Sequence, residues 1–186
     1  MSEMLNRKEI LDSIHANIQD KDMVKHMLAV EAIMRSMAKR LGEDEDEWGL
    51  TGLIHDIDVE LVEDDPDSRS KLGSDIARDL GASEEMTGAI LCHNVAHGIP
   101  RKTKLDKALF CADALAEIIT ASARARPDRL NGLAARSVVK HFHEKGFADS
   151  VNREQVAECQ QIGLELEEFI VLGLVAMKGI ASRLEL

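Results

Sequence analysis

Apolar residues recur at three- and four-residue steps along most of the chain, the spacing of helices that bury one face. The clearest stretch runs from Asp22 to Leu41 and ends at Gly42, a residue type that often terminates helices. The same pattern predicts further helices at about 45–57, 71–80, 83–93, 105–125, 133–145, 153–161 and 164–184. No segment alternates in the way of a half-buried strand, so the pattern predicts an all-α fold.

Composition supports this prediction. The 186 residues are enough for one compact domain with its own core. Aromatic residues make up only 3% and Tyr is absent, so Leu, Ile, Val, Ala and Met must fill the core. Ala, Leu and Met favour helices over strands.

The formal net charge of -11 is expected to repel nucleic-acid polymers and anionic membranes. No run approaches the roughly 20 apolar residues that a membrane span needs, and the first ten residues have no apolar signal-peptide core. We therefore expect a cytoplasmic protein. Cys92, Cys111 and Cys159 lie far apart without a CxxC pair, which favours buried reduced thiols over disulfides or structural zinc.

The adjacent pair His55-Asp56 ends the apolar helix predicted at 45–57. A carboxylate buried there would need a partner to compensate its charge. The plainer interpretation is an Asp that points into water at a helix end, beside a histidine of the core. Two other residues decide between these interpretations.

Asp113 lies inside the Ala- and Leu-rich stretch FCADAL, and the positions three and four residues away offer it no basic partner. His26 lies near the start of the helix that precedes the His55-Asp56 pair. Two imidazoles and two carboxylates would suit a divalent transition metal, Mn, Fe, Co, Ni or Zn, with positions left for water and substrate. His26, His55, Asp56 and Asp113 are thus the predicted ligands.

The order His26, then His55-Asp56 in GLIHDID, then Asp113 in ALFCADAL resembles the H...HD...D signature of the HD superfamily, also called HD or HDIG domains. Nearly the whole chain is similar to a group of small predicted HD hydrolases without an assigned substrate, through HDIDVE, AILCHN and KLDKALFCADAL. The resemblance implies a single compact multi-helix HD-domain bundle over 1–186. Helices of about 20–125 would carry the metal site, and those of about 133–186 would pack on them.

One departure concerns the number of metals. Many HD proteins have a histidine shortly after the HD pair and another near the position of AILCHN. Here His93 occupies the second position and Arg69 the first. The resemblance then favours one metal per chain over two, with His93 as a support for the ligands, a general acid or base, or a substrate contact. Arg69 has the planar fork that binds phosphate.

Other charged residues offer weaker signals. Arg101, Lys102 and Lys104 precede the helix of Asp113 and are predicted to bind substrate, although a solvated role is the default for each. Arg124, Arg126 and Arg129 form a second basic group, and His97 is predicted at a loop or pocket rim. In the acidic stretch that includes Asp64, a solvated loop is the default, but Asp58 could orient water or a ligand.

The hypothesis is a phosphohydrolase that acts on a small phosphate ester, with a nucleotide favoured, through a metal-activated water. Asp56 and Asp113 would orient the nucleophile, His93 would protonate the leaving oxygen, and Arg69 or Lys102 would offset charge on the phosphate. Phosphomonoesterase, including a nucleoside 5'-monophosphate phosphatase, phosphodiesterase and triphosphohydrolase stay open. By the resemblance, an oxygenase would need two irons and a full set of bridging ligands, which Arg69 in place of a histidine argues against. The alternative is a non-catalytic module that senses a nucleotide. The apolar last helix would close the core, and it also permits a homodimer.

Overall fold

The computed structural model describes residues 5–63 and 65–186, so Met1–Met4 and the acidic-loop residue Asp64 lie outside it. Within these ranges the chain forms helices and loops without strands, and the all-α prediction is confirmed. The α-helices are α1 (Arg7–Asn17), α2 (Lys21–Leu41), α3 (Glu45–Ile54), α4 (Lys71–Asp79), α5 (Glu84–His93), α6 (Lys104–Arg124), α7 (Ala135–His143), α8 (Arg153–Ala157), α9 (Leu166–Gly179) and α10 (Ala181–Leu184). Short 3-10 helices span Val95–His97 and Glu158–Ile162.

Side chains at the helix ends explain where the two longest helices begin. The Asp20 carboxylate accepts the backbone N–H of Asp22 and caps α2. Thr103 and Asp106 form a reciprocal capping box at the start of α6. Gly42, in the left-handed conformation at φ 73°, ends α2 as its sequence position predicts.

Helix α6 forms the centre of the bundle, and 14 of its 21 residues are buried. It packs against α2, α5, α7, α8 and α9, while α2 also packs along α3 and α9. One hydrophobic cluster continues from Ile10 in α1 to Leu184 in α10. The helices after residue 133 thus share their core with those that precede it.

The observed helices differ from the predicted ones in four places. Helix α1, whose short apolar face is Ile10 and Ile14, was not predicted. Helix α3 ends at Ile54, and the chain continues in turns through His55 and Asp56. The helix predicted at 153–161 changes to 3-10 geometry after Ala157, and the last helix breaks at Ile180, whose φ of −122° is not helical.

The three cysteines are free and buried, as predicted. Burial raises the pKa of Cys92 to about 12 and that of Cys159 to about 11, and it also raises the pKa of Cys111. Such thiols carry little thiolate near neutral pH. Separately, none of the helices in the described ranges has the length and apolar character that a membrane span requires.

Candidate metal centre

Four parts of the bundle bring five polar side chains together. Helix α2 contributes His26, the turn after α3 contributes His55 and Asp56, and the last residue of α5 is His93. Helix α6 contributes Asp113 from its middle. His26, His55 and Asp56 present ligand atoms within 4.8 Å of one another, and so do His55, His93 and Asp113. The four residues predicted as ligands therefore meet, and His93 lies with them.

Within the cluster, imidazole Nε2 atoms lie close to carboxylate oxygens. His26 Nε2 lies 3.0 Å from Asp113 Oδ1, and His55 Nε2 lies 3.3 Å from Asp56 Oδ2 and 3.7 Å from Asp113 Oδ1. His93 Nε2 is 3.4 Å from the other Asp56 oxygen, Oδ1. Both carboxylates therefore face more than one imidazole, which is the arrangement of ligands around a shared cation.

Backbone carbonyls orient two of the histidines. The Nδ1 atoms of His55 and His93 donate to the carbonyls of Gly52 and Ile90, at 2.8 and 2.5 Å. With Nδ1 protonated, a neutral ring presents the lone pair of Nε2, as metal-binding histidines do. His55 Nε2 is also buried without a hydrogen-bond partner. A metal ion would satisfy that atom, so the donor set fits a divalent transition metal.

The electrostatics of the cluster agree with this fit. Burial lowers the pKa of His55, but Asp56 and Asp113 outweigh burial and raise that pKa to about 10, so without a metal a proton occupies Nε2 and a metal would replace that proton. Burial raises the pKa values of Asp56 and Asp113, and their histidine neighbours reverse the shift and hold both pKa values below the usual range. The two carboxylates thus stay ionised and favour a positive charge between them.

Arg69 also reaches the cluster. Its Nη2 donates to Asp56 Oδ1 at 2.9 Å, and about 40% of the side chain is exposed toward the adjoining cavity. The carbonyl of Arg69 accepts hydrogen bonds from the side chains of His97, at 2.7 Å, and Asn94, at 3.2 Å. These hydrogen bonds fix the backbone at Arg69, from which the guanidinium group extends to Asp56.

The sequence position of Asp58 suggested a contact with water or a ligand, but its carboxylate binds the protein backbone. This fully buried carboxylate accepts the backbone N–H groups of Ser70, at 2.7 Å, and Gly73, at 2.8 Å. A Cβ atom at position 73 would lie 3.1 Å from the Asp58 carboxyl carbon, so the glycine allows this close approach. Asp58 thereby fixes the start of α4 directly after Arg69.

A cavity of about 560 Å³ opens beside the cluster. Its lining residues come from the start of α2, the segment after α3, one face of α6 and the segment after α9: Asp20, Asp22, Met23, Lys25, His26, Asp56, Val59, Arg69, Asp113, Glu117, Thr120, Ala121, Arg124, Leu184 and Leu186. His55 and His93 are buried behind this lining. A cavity of this size accommodates a small organic ligand.

The structure does not bring the predicted basic loop to this cavity. Arg101 pairs with Glu158 at 3.1 Å and lies over the ring of Phe110. Lys104 pairs with Glu43 at 2.7 Å, and the Lys102 side chain is exposed. The cavity wall instead carries the basic residues Lys25, Arg69 and Arg124. Arg69 and Arg124 were among the basic residues considered from the sequence, whereas Lys25 was not.

Gln155 of α8 is a neighbour of the cluster that sequence reasoning missed. Its side-chain amide donates to the Phe110 carbonyl at 2.7 Å and lies 3.5 Å from Asp113 Oδ2. It is separated from Asp113 by 42 positions. A glutamine in a short helix carries no local signal of such a contact, so only the packing of α8 on α6 reveals it.

Comparisons with known proteins agree with the site. Ribonuclease Y of Oleidesulfovibrio alaskensis is 26% identical over 150 residues, 81% of this chain and 27% of the relative. Ribonuclease Y of Sulfurovum sp. is 28% identical over 151 residues, 81% of this chain and 28% of that protein. This chain thus spans about a quarter of the length of these curated relatives. No solved structure matches the chain.

A family model described as HD domain matches residues 23–118, slightly more than half of the chain. The matched range contains the five side chains of the cluster and ends within α6. The resemblance seen in the motifs is thereby confirmed, and the chain belongs to the HD domain family, whose members are metal-dependent phosphohydrolases.

Proposed function

We propose that this protein hydrolyses a small phosphate ester, with a nucleotide favoured, in a reaction that depends on a divalent transition metal. One observation carries the proposal: imidazole Nε2 atoms and two ionised carboxylates converge beside a cavity of about 560 Å³, next to the guanidinium of Arg69. This combination offers ligands for a metal, a donor for a phosphate and space for an organic group.

His26, His55, Asp56 and Asp113 would hold the metal, one ion per chain. When bound, it would supply Lewis acidity toward the phosphate and an activated water. The arginine next to Asp56 argues for one ion, since a second ion beside that carboxylate would meet a fixed positive charge. Mn, Fe, Co, Ni and Zn all suit this mixed nitrogen and oxygen set.

The chain's own residues would position the substrate and the attacking water. Arg69 uses Nη2 on Asp56 and retains other N–H donors for a phosphoryl oxygen. Asp56 and Asp113 would accept a hydrogen bond from the attacking water and so fix its direction. His93, whose Nδ1 proton is held by the Ile90 carbonyl, is buried behind the cavity lining, so its Nε2 would orient Asp56, 3.4 Å away, and would not reach the leaving oxygen as the sequence suggested.

A small ester is favoured over the RNA that the relatives' name, ribonuclease Y, implies for those proteins. The net charge of -11 opposes the approach of a polyanion. The cavity wall also carries more acidic than basic side chains. Hydrolysis of an oligoribonucleotide at a rate that equals or exceeds that of mononucleotides would contradict this part of the proposal.

A nucleotide-sensing module without turnover is the second candidate. The contact that favours it is the pair of Arg69 with Asp56, because an arginine on a ligand carboxylate competes with a metal for that oxygen. Tight nucleotide binding without hydrolysis, for protein reconstituted with each of several metals, would favour the sensor over the enzyme.

The first experiment measures metal content and phosphatase activity in protein purified without chelator or metal-binding tag. Wild-type protein should contain about one transition metal per chain and hydrolyse phosphate esters, whereas Asp56→Ala should lose both properties. Asp75→Ala is the matched control, because this exposed carboxylate of α4 pairs with Arg78 and does not line the cavity. Full activity in Asp56→Ala, or no metal after reconstitution of wild-type protein, would contradict the proposal.

A further inference from the structure

The cavity beside the metal cluster is lined by both charged and apolar side chains. Asp56, Arg69 and Asp113 are the charged groups that belong to the cluster or contact it. Apolar side chains from four segments also line the wall: Met23, Val59, Ala121, Leu184 and Leu186. A phosphate bound at the cluster would contact the three charged groups and leave the apolar side chains free for the rest of the ester.

The dimensions of α6 fit such a division. Asp113, Glu117 and Ala121 follow one another at four-residue steps on one face of this helix, and each lines the cavity. At about 1.5 Å of rise per residue, Ala121 lies about 12 Å along the axis from Asp113. That length accommodates a phosphate followed by an organic group of nucleoside size.

Leu184 and Leu186 come from the segment that follows α9, far from the cluster in sequence. Leu184 is 2% exposed and belongs to the hydrophobic core, and the backbone N–H of Leu186 donates to the Ala181 carbonyl at 3.2 Å. Glu185, between the two leucines, pairs with Lys25 of α2. These contacts hold both leucines against the cavity in a defined arrangement.

The charged groups of the lining that lie outside the cluster favour an uncharged organic group. Arg124 pairs with Asp22 at 2.9 Å, and Lys25 pairs with Glu185, so both cations already have acidic partners. Asp20 and Glu117 add further acidic groups to the lining. A second anionic group on the substrate would therefore gain little attraction from these groups.

We infer that Leu184 and Leu186 form a specificity wall that recognises the uncharged organic group of a phosphate monoester, of nucleoside size. This inference rests on the proposed hydrolysis at the metal cluster and adds the substrate class. The wall lies outside residues 23–118, so it belongs to the part of the chain that the family match does not cover.

Leu186→Ala tests the wall, because Leu186 is partly exposed and its truncation leaves the core leucine in place. Val175→Ala is the control, since it removes an exposed aliphatic group of α9 that does not line the cavity. Calorimetry on metal-loaded protein measures the dissociation constants of adenosine 5'-monophosphate and inorganic phosphate. Hydrolysis of the nucleotide and of glycerol 2-phosphate is measured in parallel.

Wild-type protein should bind the nucleotide at least about tenfold more tightly than phosphate. Leu186→Ala should weaken nucleotide binding by about five- to tenfold, as expected for lost apolar burial, and change phosphate binding by less than about twofold. If the esters are hydrolysed, kcat/KM should fall by the same factor for the nucleotide and stay unchanged for glycerol 2-phosphate. Val175→Ala should leave every value unchanged.

The proposed specificity wall would be contradicted if wild-type protein bound the nucleotide no more tightly than phosphate. It would also be contradicted if Leu186→Ala weakened the binding of both ligands equally. The two proposals fail separately in this design. Selective nucleotide binding without hydrolysis would contradict the proposed hydrolysis and support the specificity wall. Hydrolysis of both esters with equal kcat/KM would contradict the specificity wall and support the proposed hydrolysis.

Discussion

Glu31 and the two carboxylates of the metal centre are buried or half-buried, and their negative charges are compensated in different ways. Glu31 of α2, 5% exposed, accepts two hydrogen bonds from Arg7, at 2.7 and 2.8 Å, and one from Arg35, at 3.1 Å. In the metal centre, by contrast, Asp56 and Asp113 mainly face imidazoles. Arginines carry a permanent positive charge, whereas imidazoles do so only when protonated.

The difference separates a structural cluster from a candidate metal site. Glu31 joins α1, α2 and, through the contacts of Arg35 with residues of the first turn of α3, a third helix. These arginines compensate the charge of its carboxylate without a metal. The metal centre leaves the buried Nε2 of His55 without a hydrogen-bond partner, whereas both carboxylate oxygens of Glu31 accept hydrogen bonds. Variants of each cluster should therefore affect different properties.

The largest expected effect follows Asp113→Asn, which keeps the shape of the side chain and removes its charge. Loss of a supporting residue behind a metal ligand lowers affinity by about 10–100-fold, so loss of a ligand should lower it by at least about 100-fold. A competition titration with a chromogenic chelator measures this. Glu117→Gln, one turn along α6 in the same cavity, should change the affinity by less than about threefold. Equal losses in both variants would mean that general acidity, and not the cluster, binds the metal.

Glu31→Gln should destabilise the fold and spare the metal. Breaking a fully buried ion pair costs about 3–5 kcal/mol. Here the side chains of Arg7 and Arg35 are 36% and 28% exposed, so water solvates them in part and we expect a loss of about 2 kcal/mol. Urea unfolding gives the free energy, and the chelator titration should give an affinity within about threefold of wild type. A large loss of metal affinity would show that the two clusters are coupled.

The sequence was sufficient for the fold class and for the residues that meet at the metal centre. His26, His55, Asp56 and Asp113 could be singled out because each is a polar group on an apolar helix or at its end. Helix α1 was missed because two buried isoleucines are too short a pattern to detect. Arg101 and Lys104 looked like substrate ligands, but their acidic partners, Glu158 and Glu43, are distant in sequence.

The contacts of the cavity wall illustrate the same limit. Leu184 looked like any core leucine of an apolar last helix, because its position on the cavity wall depends on the break at Ile180. Asp58 looked like a possible ligand because it follows the HD pair, yet it binds backbone N–H groups more than ten residues away. Tertiary packing, which local patterns do not encode, decides both cases.

Arg69→Ala tests whether Arg69 serves the substrate or is a structural partner, as Arg7 and Arg35 are for Glu31. If it serves the substrate, kcat/KM for the nucleoside monophosphate should fall about tenfold, the usual loss for one charged hydrogen bond. Because the side chain is 40% exposed, its pair with Asp56 should contribute less than about 1 kcal/mol to stability. Arg69→Lys should recover part of the activity, since it keeps the charge without the planar fork. A stability loss as large as that of Glu31→Gln with unchanged kcat/KM would make Arg69 a structural partner.

The smallest expected effect is that of Gln155→Ala, which removes a positioning residue from the metal centre. Gln155 Nε2 is held firmly by the Phe110 carbonyl at 2.7 Å but reaches Asp113 Oδ2 only at 3.5 Å. A contact of that length is weak, so metal affinity should fall by about threefold, below the 10–100-fold usual for well-formed supporting bonds. Gln160→Ala, at an exposed position in the following 3-10 helix, should leave metal affinity unchanged. An unchanged affinity in Gln155→Ala together with lower stability would mean that Gln155 only joins α8 to α6, as the arginines of Glu31 join their helices, and that Asp113 is oriented by the histidines alone.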